Sequence, residues 1–101
     1  MPKLLFTMLE NERNIKRSAE KEYSKKIGEM NIHLKKRSDV LKELEVIGCS
    51  TDIFKEYYEL LKVEHEEDVK EIESLVDKRL ACVKRTRKIT TMQVKLAKME
   101  W

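Results

Sequence analysis

Apolar and small residues recur through the first half of the chain at Leu5, Met8, Ile15, Ala19, Tyr23, Ile27, Met30, Leu34, Leu41 and Leu44. The steps are mostly threes and fours, the spacing that places residues on one face of an α-helix. The second half carries Phe54, Tyr58, Leu61, Val69, Ile72, Val76, Leu80, Val83 and Val94. Clear punctuation occurs once, at Gly48-Cys49-Ser50-Thr51-Asp52. Gly48 can take the left-handed conformation that ends a helix. Ser50, Thr51 or Asp52 can accept a backbone N–H bond and cap the next one. The pattern predicts a first helix over about residues 3–47, a turn at 48–51 and a second helix over about 52–100. Pro2 suits a helix's first turn. So short a connection makes the helices antiparallel neighbours. The expected fold is all-α: one domain, 1–101, forming a helical hairpin of coiled-coil type.

In an antiparallel hairpin, facing residues have position numbers that sum to a constant. A sum of about 99 aligns Leu44 with Phe54, Leu41 with Tyr58 and Met30 with Val69. It continues through Ile27 with Ile72, Tyr23 with Val76, Ala19 with Leu80 and Ile15 with Val83. Leu34 is the exception, meeting His65. Charges follow the same alignment. Lys35-Lys36-Arg37 face the acidic run Glu64 to Asp68, Glu20 and Glu22 face Lys78 and Arg79, and Glu10 and Glu12 face Lys84 to Lys88. Exposed pairs of this kind add little stability, about 0–1 kcal/mol each, but they specify register. Within the second helix, Leu61, Ile72, Val83 and Val94 recur at elevens, as do Tyr58, Val69 and Leu80. That period drifts away from the left-handed supercoil of strict heptads.

Two helices bury one stripe each and leave their flanks open. Apolar residues off the expected seam cluster near the turn, with Ile47, Tyr57 and Leu60, and at the open end, with Phe6, Leu9, Ile89, Met99 and Trp101. Such patches mark contact sites. The expectation is a hairpin completed into a bundle by self-association or by a helical protein partner.

Composition sharpens this reading. Charged residues make up 41% of the 101 residues and apolar residues another 41%, with two glycines and one proline. The apolar share is too high for general disorder, and the turn-forming residues are too few for a sheet protein. The net charge of +3, from 22 basic and 19 acidic residues, does not by itself indicate a polyanion binder. The local stretch Lys78, Arg79, Lys84, Arg85, Arg87 and Lys88 is the sharper signal: it could contact nucleic-acid phosphates or an acidic filament. The acidic run before it favours charge pairing within the fold or the assembly.

Little chemistry is expected. Cys49 and Cys82 lie about 50 Å apart along a continuous helical path, beyond disulfide reach, and free thiols fit a reducing intracellular compartment, cytoplasmic or nuclear. No apolar run approaches the ~20 residues needed to span a bilayer. His33 and His65 lack the convergent partners that zinc requires. No glycine-rich loop can cradle a phosphate. The expectation is therefore a non-enzymatic scaffold or adaptor subunit, with no catalytic residue, cofactor, metal, membrane or small-molecule substrate.

Overall fold

The computed structural model describes residues 2–48 and 51–99. It is all-α, a hairpin of two long helices, α1 (Lys3–Ile47) and α2 (Asp52–Ala97), whose contacts fit antiparallel packing. Gly48 ends α1 with φ of 77° while its N–H bonds the Leu44 carbonyl at 3.1 Å. A side chain at that φ would meet its own backbone, so glycine belongs there. Thr51 is the cap of α2: its hydroxyl accepts the Phe54 N–H at 3.3 Å. Asp52 in the first turn and Lys95 in the last complement the α2 dipole. The second helix ends at Ala97, three residues before the expected 100. Cys49, Ser50 and Trp101 lie outside the described residues.

The chain resolves into two compact units, each built from both helices. The turn unit comprises residues 26–75; the terminal unit combines Met1–Lys25 with Val76–Trp101. In the turn unit, residues 27, 30, 34, 37, 41 and 44 of α1 and Gly48 just after it form one shielded row, and 58, 61, 65, 68, 72 and 75 of α2 the other, with Ser38 and Glu64 half-buried next to them in sequence. In the terminal unit, the seam rows are 6, 9, 13, 16, 20 and 23 of α1, and 82, 86, 89, 93 and 96 of α2, with Glu10, Glu12, Ala19, Val83 and Thr90 also half-buried. Both rows alternate steps of three and four, the period of a heptad seam rather than an eleven-residue repeat.

Cross-helix contacts give the register. In the turn unit, Arg37 with Asp68, Arg37 with Glu64 and Tyr58 with Glu45 sum to 105, 101 and 103. In the terminal unit, Glu10 with Gln93 and Glu12 with Arg85 sum to 103 and 97. These values scatter about 102, and the shielded rows pair at about 102 in both units, which corrects the sum of 99. Three residues is nearly one helical turn, so the slip keeps the same general face while exchanging which apolar residues are buried. Leu75, Cys82 and Ile89, spaced by seven, are buried. Val69 and Val76, expected on the seam, are exposed at its side, Leu80 is exposed on the outer face, and Ile15 is 66% exposed. The rows of sevens stay on the seam, whereas a stripe of elevens drifts across it. Phe54 is exposed for another reason: the register sets it against Gly48, which has no side chain.

Candidate protein-interaction surface

The seam mixes apolar and polar layers. Leu44 is buried, and Tyr23, Ile27, Met30, Leu41, Tyr58, Ile72 and Val83 are half-buried. Ile89 is 0% and Leu9 2% exposed, and Phe6 is half-buried. Leu9 and Ile89, expected in an open-end patch, are core residues of the terminal unit instead, and Phe6 is partly shielded rather than open. Their positions 6, 9 and 89 fall on the rows of sevens, a signal present in the sequence and masked by the longer repeat. Cys82 is a free, buried thiol packed as a small apolar residue.

A buried arginine occupies the seam of the turn unit. The Arg37 side chain is 9% exposed and donates to Asp68 Oδ2 at 2.7 Å, with Glu64 at 4.0 Å. It also lies 2.9 Å from His33 Nε2. Guanidinium can only donate, so this histidine nitrogen accepts. A charge satisfied only in one alignment opposes sliding of the helices, as a polar seam residue does in other helical pairs. An open groove of about 310 Å³ lies beside it, lined by His33, Arg37, Val40, Tyr57, Leu61 and Glu64 among others. His65 is half-buried, and its Nδ1 has no hydrogen-bond partner.

The terminal unit has its own polar connections. Gln93, 5% exposed, donates to Glu10 at 2.8 Å, and Arg13 donates to the same carboxylate at 2.9 Å. The Gln93 bond, then the Arg13 bond, holds the Glu10 carboxyl below its ordinary 4.5. Arg85 donates to Glu12 at 2.6 Å, which lowers the Glu12 carboxyl and raises the Arg85 guanidinium. Thr86, Thr90 and Thr91 return their hydroxyls to carbonyls four residues back, at 2.9–3.0 Å. They satisfy themselves within α2.

Of the expected basic contact residues, all six are exposed. Arg85 is engaged by Glu12. Among the described residues no ion pair is formed by Lys78, Arg79, Lys84, Arg87 or Lys88. The intramolecular pairing anticipated for Glu20 and Glu22 with Lys78 and Arg79 is likewise absent among them. Lys84, Arg87 and Lys88 fall off the seam rows of α2, whereas Arg79 falls on a seam row and is exposed.

Charge divides between the units. The terminal unit holds 14 basic and 6 acidic residues, net +8; the turn unit holds 8 basic and 13 acidic residues, net −5. Each also exposes large apolar side chains. On the turn unit these include Ile47, Ile53, Tyr57, Leu60 and Val63; on the terminal unit, Leu4, Met8, Leu80, Val94 and Met99. Among the described residues, no three His, Cys, Asp or Glu side chains converge as a metal-binding group, and no helix is long and apolar enough to cross a membrane. No family model, curated protein or solved structure matches the chain.

Proposed function

We propose that this chain is a non-enzymatic, coiled-coil interaction subunit that works by packing its exposed helix faces against other helices in a protein assembly. One observation carries the reading. Among the described residues, five apolar side chains are buried while nineteen large ones remain exposed. A helix pair gains its stability from burial of an apolar face rather than from helix propensity. Apolar surface left open on this scale marks a contact surface. The arrangement suits a scaffold or adaptor, since its side chains are organised to fix register and leave faces free.

The test is molecular mass by light scattering over a concentration series, with helicity recorded on the same samples. Helicity that rises as the chain assembles, or a poorly helical monomer that becomes helical on meeting its partner, supports the reading. A fully helical monomer that unfolds cooperatively, independently of concentration, overturns it, because such a chain needs no other surface.

A second reading is contact between the basic stretch and nucleic acid or an acidic filament. It is favoured by the net +8 of the terminal unit and by Lys84, Arg87 and Lys88, which form no ion pair among the described residues. It predicts binding to duplex DNA or to an acidic filament that weakens steeply with salt, with a slope set by the number of contacts. Binding that ignores salt removes it.

A further inference from the structure

In each unit the α2 positions off the seam rows carry charge of one predominant sign, acidic in the turn unit and basic in the terminal unit. In the turn unit the outer face of α2, opposite the seam, carries Glu56, Glu59, Glu66, Glu67 and Glu73 with a single base, Lys70. In the terminal unit it carries Lys84, Arg87, Lys88 and Lys95, with Lys98 just past the helix end, and a single acid, Asp77. Every one of these residues is exposed. Apolar side chains are interleaved in both stretches: Ile53, Leu60 and Val63 among the acids, Leu80 and Val94 among the bases.

We infer that the occupant of this face is a second copy of the same chain, its α2 running antiparallel, so that the basic stretch of each copy lies on the acidic stretch of the other. This rests on the interaction-subunit reading above and names its partner. Three features of the face select this occupant. A helix turned end for end presents bases to acids at both ends, so one contact is made twice, as a two-fold interface requires. The two exceptions, Lys70 and Asp77, flank the midpoint, and the register that pairs them sets Lys84 to Lys88 of one copy against Glu59 to Val63 of the other and Lys95 against Asp52. Nucleic acid would meet the basic stretch but would leave Ile53, Leu60 and Val63 uncovered and would repel the acids beside them. Parallel association would set like charges together along the whole face, which is disfavoured. Opposite charges set the orientation, and the interleaved apolar residues supply the burial.

The experiment uses the full chain, its association followed by sedimentation equilibrium at low and high salt. The wild-type chain is expected to dimerise, with weaker association at high salt. The variant K84E/R87E/K88E makes α2 acidic along this face, and E59K/E66K/E67K makes it basic. Each alone is expected to raise the dimer dissociation constant by about tenfold or more. The chain carrying all six changes restores opposite ends and is expected to dimerise again, as is an equimolar mixture of the two triple variants. Circular dichroism checks helicity, and the restored forms keep the test decisive if one triple variant folds poorly alone. A wild-type chain that stays monomeric, association that strengthens with salt, or triple variants that associate as the wild type does would each overturn the inference. A poorly helical monomer that folds on a foreign protein would overturn this partner while leaving the interaction-subunit reading intact.

Discussion

At the scale of single residues, burial rather than apolar character separates the side chains that hold the hairpin from those that face outward. Ile89 and Leu80 are both large, aliphatic and on α2, yet Ile89 is 0% and Leu80 48% exposed. Ile89→Ala is expected to cost about 2–4 kcal/mol, transfer plus cavity, whereas Leu80→Ala should cost less than about 1 kcal/mol. Urea denaturation of the two variants, at a concentration where the chain is monomeric, decides between the registers. A register summing to 99 demands that Leu80 be the costly position, and the observed packing demands that it be Ile89. Arg37 sits in the seam as an ion held by Asp68; the charge pattern set it against the acidic run Glu64 to Asp68, whereas a search for apolar stripes discards charged residues and leaves it off the seam.

At the scale of the elements, the two glycines mark opposite situations. Gly48 has φ of 77° and ends α1, while Gly28 lies inside α1 with nothing within 4 Å of an added Cβ. Gly28 therefore does not serve a close helix approach. Gly28→Ala should stabilise the chain by about 0.5–1 kcal/mol through helix propensity alone. Gly48→Ala should destabilise it by about 1–2 kcal/mol by forcing a side chain into the left-handed region. Thermal unfolding of the two variants, shifting in opposite directions, is the check. The contrast shows what was legible in the sequence. Turn chemistry at Gly48 and Thr51 and the scarcity of breakers located both helices, because capping depends on a few local atoms. Which apolar row became the seam was harder to read, because α2 offers two rows that differ by fractions of a turn. The choice depends on both helices together: α1 also keeps a row of sevens through Leu9, Lys16, Tyr23, Met30, Arg37 and Leu44, and only a partner row of sevens stays against it.

At the scale of the whole molecule, the segregated charge makes the two units respond differently to acid. Glu10 and Glu12 have folded values below their ordinary 4.5, held there chiefly by Gln93 and Arg85 respectively. A carboxylate lowered by folding contributes stability that is present above 4.5 and lost as pH falls through its folded value. Both groups belong to the terminal unit, whose net charge is already +8 at neutrality and climbs as its six acids protonate. Its self-repulsion therefore grows as its stabilising bonds weaken. The turn unit begins at net −5 with 13 acids, so the same acidification carries it through neutrality first. Hydrogen exchange across a pH series, corrected for intrinsic rates, should show amides of 3–25 and 76–97 losing protection below about 4.5 ahead of those of 26–47 and 52–75. Added salt should narrow the gap by screening the terminal unit's repulsion. Loss of protection in the turn unit first would mean that Arg37 and its acidic partners, rather than the charge imbalance, set the acid limit of the fold.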